Sequence, residues 1–129
     1  MGKNYTLGKS ERLNKRSLID AIFNKEGKTI KSGPLLFVYL KADLDEPYPA
    51  QVLFSVSKRK FNKAKDRNRI KRLLKEVYRL SKPEIYKAIE AEKQTYALAL
   101  LYLDNELLDF NTIEHHFKSI KDEFIKRHS

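Results

Sequence analysis

The chain has 129 residues, 41% of them apolar, which is the size and composition of one globular domain with a single core. It contains no cysteine, so disulfide bonds, thiolate nucleophiles and cysteine-based zinc sites are excluded, and a reducing compartment such as the cytoplasm is expected. Its formal net charge of +10 favours a polyanionic partner.

The N-terminal segment is predicted to form a helix. Apolar residues recur at helical spacing from Ser10, whose side chain suits an N-cap, to about Lys25. Gly27 is predicted to end this helix, whose apolar positions include Ile19 and Phe23.

Two strands are predicted to follow. The Lys-Ser-Gly-Pro sequence at 31–34 marks a turn, and residues 35–41 alternate two sets of apolar side chains, as a strand covered on both faces does. Residues 42–50 are rich in Asp and Pro and are predicted to form a hairpin connection. This connection leads to a second strand within residues 51–59.

The centre of the chain is predicted to be an amphipathic helix that starts near Asn62. Its buried stripe has the spacing i, i+3, i+4, i+7 and consists of Ile70, Leu73, Leu74 and Val77. The sequence Ser-Lys-Pro at 81–83 is predicted to end the helix, because the residue before a proline is disfavoured in the helical conformation.

The C-terminal third is predicted to contain a short helical connector, a strand and a last helix. The apolar run at 96–103 is predicted to be a third, central strand. Asn111 and Glu114 are predicted to cap the last helix, whose apolar positions are Ile113, Phe117, Ile120 and Phe124.

This order of elements predicts the α+β class: a single domain over residues 1–129, with a small, three-stranded mixed or antiparallel sheet packed with helices. No repeat or linker divides the chain, and no stretch approaches the about 18 apolar residues of a membrane span. Secretion and membrane insertion are therefore not expected.

The positive charge is concentrated in one segment. Between Lys58 and Lys82 the chain has twelve Lys and Arg residues and two acidic residues, so this segment carries the whole net charge of +10. A field focused in this way attracts polyanions, whereas an evenly spread charge would mainly favour solubility.

A catalytic constellation within the chain is not predicted. His115 and His116 are neighbours and would point about 100° apart on a helix, and His128 is expected to be mobile near the C-terminus. No phosphate-binding loop motif is present. The acidic residues of the loop after the first strand are expected to serve turn formation and solubility: Asp43, Asp45 and Glu46.

The basic segment meets the requirements of RNA binding. Arginine adds planar, bidentate hydrogen bonding and stacking to the positive charge that phosphates require. Asn68 lies between two arginines and can donate to a phosphate or bind a 2′-hydroxyl or a hydrated metal ion.

Residues 55–79, SVSKRKFNKAKDRNRIKRLLKEVYR, resemble the signature of the bacterial ribonuclease P protein component, in which a strand end leads through a loop into an RNRIKR helix. Residues 12–27, RLNKRSLIDAIFNKEG, are more loosely similar to the N-terminal helix of that family. The resemblance implies an αββαβα sandwich with a left-handed βαβ crossover, an exception to the right-handed rule.

The resemblance also implies a division of labour in which a catalytic RNA cleaves precursor tRNA with Mg²⁺ while the protein assists and has no catalytic residue. The residues implied to contact RNA are Lys58, Arg59, Lys60, Lys63, Lys65, Arg67, Asn68, Arg69, Lys71 and Arg72. A cleft between the first helix and the sheet would hold the single-stranded 5′ leader of the substrate. The residues implied to line it are Ile19, Phe23 and Tyr39, of which the two aromatic residues could equally be core residues.

The expected partners are thus the catalytic RNA of ribonuclease P, in a 1:1 complex with a monomeric protein, and precursor tRNA, with Mg²⁺ bound mainly by the RNA and the substrate. A stand-alone RNA-binding or ribosome-associated protein is the alternative. A DNA-binding helix-turn-helix module is less consistent with the sequence, because strand residues precede the basic helix.

Overall fold

The computed structural model of the chain describes residues 8–44 and 48–128. The elements in chain order are a 3-10 helix (Lys9–Glu11), α1 (Arg16–Phe23), β1 (Lys28–Ser32), β2 (Leu35–Lys41), β3 (Ala50–Val56), α2 (Ala64–Ala91), β4 (Tyr96–Tyr102) and α3 (Phe110–Arg127). The predicted α+β class is confirmed. Within the described ranges, no helix is both long and apolar enough to cross a membrane.

The four strands form one mixed sheet in the order β1-β2-β4-β3. β4 pairs antiparallel with β2 and parallel with β3, so the predicted hairpin between β2 and β3 is wrong. The physical reason is that β4, the apolar run Tyr-Ala-Leu-Ala-Leu-Leu-Tyr, is covered on both faces and takes an interior position. β3, α2 and β4 form one βαβ unit, whose left-handed crossover stays a prediction of the resemblance.

The strand β1 was not predicted, and the sheet has four strands instead of three. β1 lies at the edge of the sheet, and Ile30 is its one buried residue, so its sequence Lys-Thr-Ile-Lys-Ser lacks the apolar alternation of an inner strand. Its hairpin with β2 pairs Ser32 with Leu35. Gly33 in this turn has a φ of +52°, and a Cβ atom there would lie 2.4 Å from the ring of His116.

The two faces of the sheet are covered differently. Phe37 and Tyr39 of β2 belong to the main core cluster, which α2 and α3 cover. Val38, the residue between them, belongs with Ile22 of α1 to a smaller cluster on the other face. Because successive side chains of a strand point to opposite faces, this alternation assigns every residue of β2 to one side or the other.

The helix α2 is continuous for 28 residues, so the predicted end at 81–83 is wrong. An internal proline costs a helix about 3 kcal/mol, because it removes one backbone hydrogen bond and crowds the preceding turn. Burial on both sides of Pro83 outweighs this cost: Lys82 and Ile85 are both buried. Tertiary packing therefore decides the length of α2.

A buried ion pair joins α2 to the N-terminal segment. Lys82 Nζ donates to both carboxylate oxygens of Glu11, at 3.0 and 2.7 Å, and the Tyr86 hydroxyl donates to the same carboxylate at 2.6 Å. Glu11 is 1% exposed and Lys82 is 3% exposed. Burial raises the pKa of Tyr86, which keeps its hydroxyl protonated as a donor.

The starts of α1 and α3 differ from the prediction. Ser10 lies in the 3-10 helix, and Lys15 is the N-cap of α1, without a side-chain hydrogen bond. Asp109 is the N-cap of α3: its Oδ1 accepts from the Thr112 backbone N–H at 2.9 Å, and the hydrogen bond with Thr112 lowers the pKa of Asp109. The predicted capping residue Asn111 lies two residues after the N-cap, inside the helix.

Replacing Lys82 by Ala is expected to lower the free energy of unfolding by about 3–5 kcal/mol, because the Glu11 carboxylate would stay buried without its ionic partner. Urea denaturation followed by circular dichroism measures this loss. The control is Asp20→Ala, which removes an exposed pair with Arg16 (3.6 Å) and should cost less than about 1 kcal/mol. Equal effects of the two substitutions would contradict a special role of the buried pair.

Candidate nucleic-acid interface

The first six residues of α2 extend beyond the core, because Ile70 is the first buried residue of the helix. Lys65, Asn68 and Arg69 lie in this extension and are exposed. The predicted buried stripe continues behind them: Leu74 and Val77 are buried, and Leu73 is partly buried against the core. One helix thus combines an anchored middle with a projecting basic end.

The loop before α2 is anchored by a single aromatic side chain. Phe61 is buried, and its ring centroid lies 6.0 Å from that of Tyr102 on β4. The Phe61 carbonyl accepts from Arg67 Nη1 at 2.8 Å, and its N–H donates to the Ser57 carbonyl at 3.0 Å. Lys60 Nζ donates to the Leu103 carbonyl across the end of the sheet. Arg67 therefore shapes the loop as well as adding charge.

The N-terminus of α2 adds its own partial positive charge. Its N-cap, Lys63, makes no side-chain hydrogen bond to the helix, and Asp66 is the acidic residue of the first turn. The backbone N–H groups of a first turn and the helix dipole favour anions at this position. The helix terminus and the cationic side chains therefore act in the same direction.

The ten residues predicted to contact RNA lie on this end of the molecule. Eight of them are exposed, and Arg67 and Lys71 are partly buried. The exposed ones are Lys58, Arg59, Lys60, Lys63, Lys65, Asn68, Arg69 and Arg72. The structure brings them together on the loop and the first turns of α2, and their contacts with RNA stay predictions.

The three residues predicted to line one cleft are not on one surface. Ile19 packs on the α1 face of the sheet, and Phe23 at the end of α1 is 49% exposed. Tyr39 lies on the opposite face: its ring centroid is 5.1 Å from that of Phe124 on α3, and its hydroxyl accepts from Arg127 Nη1 at 2.9 Å. The placement of Tyr39 in the cleft is therefore wrong.

The residues of β2 that do share a face with α1 are the aliphatic ones. Leu36 and Leu40 are partly buried and pack with Ile19 around Val38. Strand alternation separates this set from Phe37 and Tyr39 in the sequence itself. Tyr39 was predicted to line the cleft because its aromatic ring could stack on a base. The alternation along β2, however, groups Tyr39 with Phe37 and separates it from Leu36 and Leu40.

Two of the three histidines, His116 and His128, make side-chain contacts within the fold. The His128 side chain is 5% exposed, so the expectation of a mobile residue is wrong. Its Nδ1 lies 2.6 Å from the Phe124 carbonyl, and its Nε2 lies 3.2 Å from the Tyr96 hydroxyl. His116 Nδ1 lies 3.0 Å from the Ser32 hydroxyl.

Acidic and histidine side chains do not converge on one point in the described part of the chain. No group of three or more His, Asp or Glu residues that could hold a metal ion occurs there. Asp43 is exposed, whereas Asp45 and Glu46, predicted to serve the turn, lie outside the described residues.

Comparison with known proteins gives consistent matches. The family model described as Ribonuclease P matches residues 7–123. A relative from Porphyromonas gingivalis, named ribonuclease P protein component, is 40% identical over 111 residues, which cover 85% of this chain and 80% of the relative. One of the same name from Chlorobium phaeobacteroides is 43% identical over 84 residues, or 63% of this chain and 57% of the relative.

Two solved structures share the fold. The RNase P protein of Thermotoga maritima superimposes with a TM-score of 0.67 at 24% identity, covering 88% of this chain and 96% of that one. The RNase P protein of Staphylococcus aureus superimposes with a TM-score of 0.67 at 18% identity, covering 88% of this chain and 94% of that one. At these identities the superpositions show the shared fold and nothing further.

Arg67 and Arg69 are expected to differ in their effect on stability, although both are arginines of the same helical turn. Arg67→Ala removes the hydrogen bond to the Phe61 carbonyl and should cost about 1 kcal/mol. Arg69→Ala removes an exposed side chain and should change stability by less than about 0.5 kcal/mol. Thermal denaturation of both variants tests this, and equal losses would show that Arg67 does not hold the loop.

Proposed function

The chain belongs to the ribonuclease P protein component family, and from this premise we propose that it binds a catalytic RNA and assists the removal of the 5′ leader from precursor tRNA. The observation that carries the proposal is the projecting basic end of α2, where a loop and a helix terminus bring exposed cations together. Phosphate contacts by such cations release counterions from RNA, which drives binding.

Within this interface, the residue types have different tasks. Arg69 and Arg72 can bind phosphates in bidentate fashion or stack on bases, whereas Lys58 and Lys63 provide mobile point charges. Asn68 lies exposed between the arginines and can donate to a phosphate or pair with a 2′-hydroxyl. The interface therefore suits a folded RNA, whose phosphates approach from several directions.

Cleavage itself is assigned to the RNA partner. Mg²⁺ prefers oxygen ligands in octahedral geometry and commonly binds through phosphates. In the described part of the chain, no three acidic or histidine side chains come together in a group that could hold a metal ion. Mg²⁺ would be held by the RNA and the substrate, and the protein would contribute positive charge that lets two polyanions approach each other.

The single-stranded leader is proposed to lie along the α1 face of the sheet. This face is covered by the eight-residue α1 and by Leu13 of the N-terminal segment, and it retains partly buried aliphatic side chains, including Ile19, Leu36 and Leu40. Phe23 is exposed at the end of α1 and can stack on a base without sequence preference.

The assembly is proposed to be a 1:1 complex of a monomeric protein with the catalytic RNA, working in the cytoplasm in keeping with the cysteine-free sequence. The alternative, a stand-alone RNA-binding or ribosome-associated protein, would use the same basic surface. Family membership favours the ribonuclease P assignment over this alternative.

Reconstitution tests the assignment. The purified chain alone should leave precursor tRNA intact, but at low Mg²⁺ it should raise the rate at which a bacterial ribonuclease P RNA removes the leader. The rate of leader release, measured with and without protein over a Mg²⁺ series, gives the result. A chain that binds this RNA and never stimulates cleavage would favour the stand-alone alternative.

Replacing Phe23 by Ala should weaken binding of precursor tRNA to the reconstituted complex about 5–150-fold, the equivalent of one lost stacking contact of about 1–3 kcal/mol. Binding of mature tRNA should not change, because it has no leader. Leu80→Ala is the control, since Leu80 is 43% exposed on α2. Equal losses for both tRNAs would place Phe23 outside the leader path.

A further inference from the structure

A cluster of titratable side chains lies at the end of the sheet opposite the basic loop. β4 starts there with Tyr96, and α2 ends there at its C-cap, Glu92. His128, the C-cap of α3, contacts both elements. The loop that precedes α2 lies at the other end of β4, where Phe61 contacts Tyr102. The seven residues of β4 separate the two ends by about 23 Å, so this cluster is distinct from the proposed RNA interface.

Each nitrogen of the His128 ring faces one oxygen atom. Nδ1 lies 2.6 Å from the Phe124 carbonyl, and Nε2 lies 3.2 Å from the Tyr96 hydroxyl. This hydroxyl donates to Glu92 Oε1 at 2.9 Å, and the same carboxylate oxygen lies 3.9 Å from His128 Nε2. The His128 side chain is 5% exposed, so its ring depends on these partners for its hydrogen bonds.

The number of available protons fixes the charge of the ring. A carbonyl only accepts, so Nδ1 carries a proton. The Tyr96 hydroxyl has one proton, which it donates to the Glu92 carboxylate. Its oxygen therefore turns a lone pair towards Nε2, and a hydrogen bond forms there only if Nε2 also carries a proton. The imidazolium cation is thus the form of His128 that satisfies all of these contacts together.

A neutral His128 ring loses one of these contacts. If Tyr96 continues to donate to Glu92, two lone pairs face each other between the hydroxyl oxygen and Nε2. If Tyr96 donates to Nε2 instead, its oxygen and the Glu92 carboxylate have no proton between them. Burial raises the pKa of Tyr96, and its hydrogen bond to Glu92 acts in the same direction, so the hydroxyl keeps its single proton.

The surroundings of the ring favour the cation. His128 lies at the C-terminus of α3, where the helix dipole stabilises positive charge. The centroid of its ring lies 4.0 Å from that of Phe124, 5.5 Å from that of Tyr39 and 5.4 Å from that of Tyr96. This packing holds both ring nitrogens towards their partners.

Charged side chains of several elements also lie around His128. On α3 itself, Arg127 pairs with Glu123 at 2.9 Å. The others line the cavities beside His128, are exposed and carry both signs: Glu84 and Lys87 of α2, Glu26 and Lys28 at the start of β1, and Lys41 of β2. Solvent screens these exposed charges, and their signs partly offset each other. Glu92, joined to the ring through Tyr96, therefore dominates the charge balance at His128.

The last turn of α3 holds two strands of the sheet. Arg127 Nη1 donates to the Tyr39 hydroxyl of β2 at 2.9 Å and to the Thr29 carbonyl of the edge strand β1 at 3.1 Å. Arg127 and His128 also line a cavity of about 720 Å³ between this turn and the start of β1. Movement of the turn therefore changes both the cover of β1 and the shape of the cavity.

We propose that His128 is a pH-sensitive latch on the end of α3. Its imidazolium form fixes the last turn to Glu92 and Tyr96, and loss of one proton releases this turn together with Arg127. Histidine side chains change charge between about pH 5 and 8. Because the protonated form is the one that the fold binds, the latch stabilises the fold at about pH 5.5, and this stabilisation is lost as the pH rises towards about 8. The latch does not depend on an RNA partner.

Urea denaturation at about pH 5.5 and about pH 8 tests the latch. At the lower pH, His128→Gln should raise the unfolding equilibrium constant about tenfold or more, the size of one hydrogen bond to a charged group; at the higher pH its effect should be much smaller. His115→Gln is the matched control, because His115 is an exposed histidine of the same helix. An effect of His128→Gln that is the same at both pH values would overturn the proposal.

Glu92→Gln distinguishes the latch from ordinary packing. The new amide can donate to the Tyr96 hydroxyl, which then donates to Nε2, so a neutral His128 is satisfied. The NMR titration of the His128 ring should therefore move to lower pH, and the pH dependence of stability should disappear. Glu90→Gln, at an exposed position of the last turn of α2, is the control.

Tyr96→Phe removes the hydroxyl and retains the charge of Glu92. The titration of the His128 ring should again move to lower pH, because Nε2 loses its acceptor. A titration that moves in Glu92→Gln and stays in place in Tyr96→Phe would mean that the Glu92 charge acts without the hydroxyl, which contradicts the latch.

Hydrogen exchange measures the release of the turn. The His128 backbone N–H donates to the Ile125 carbonyl at 3.1 Å. Its protection factor should fall about tenfold between the two pH values in the natural sequence and stay constant in Glu92→Gln. Equal protection at both pH values in the natural sequence would show that loss of the proton does not release α3.

Discussion

The parallel pairing of β3 with β4 is the interaction on which the rest of the structure depends. Parallel neighbours cannot be joined by a tight turn, so the chain must return along the sheet through a crossover helix. A strand of seven residues spans about 23 Å and a helix of 28 residues about 42 Å, so α2 is much longer than the strands it connects. Its excess length at the N-terminal end becomes the projecting basic surface.

The N-terminal end of α2 tolerates its concentrated positive charge because the repulsion between cations is small compared with the gain from burying apolar side chains. A like-charge pair four residues apart on a helix costs about 0.2–0.5 kcal/mol. Fully burying one large aliphatic side chain contributes about 1.5–3 kcal/mol, and Ile70, Leu74 and Val77 are all buried just behind the charged turns. The apolar stripe therefore holds α2 in place against the repulsion among its cations, and exposure to solvent lowers that repulsion further.

The two faces of the sheet are covered unequally. α2 and α3 bury one face together with Phe37, Tyr39 and Phe124, and this face provides the main core. The other face has the short α1 and Leu13 of the N-terminal segment, and it keeps partly buried aliphatic side chains near the surface. The buried Glu11–Lys82 pair joins the two regions, because it holds the N-terminal segment that precedes α1 against the middle of α2.

The sequence alone was sufficient to predict the elements with strong local patterns, which are β2, β4 and the apolar stripe of α2. It also located the net charge and carried the resemblance of residues 55–79 to the ribonuclease P protein component. Periodicity and charge are properties of neighbouring residues, so they can be read without a fold. Only the tertiary structure decided the strand order, the edge strand β1, the passage of α2 through Pro83, the burial of Tyr39 and His128, and the pairing of Glu11 with Lys82. Each of these depends on contacts between segments far apart in the chain, whose packing outweighs the local preferences that the sequence displays.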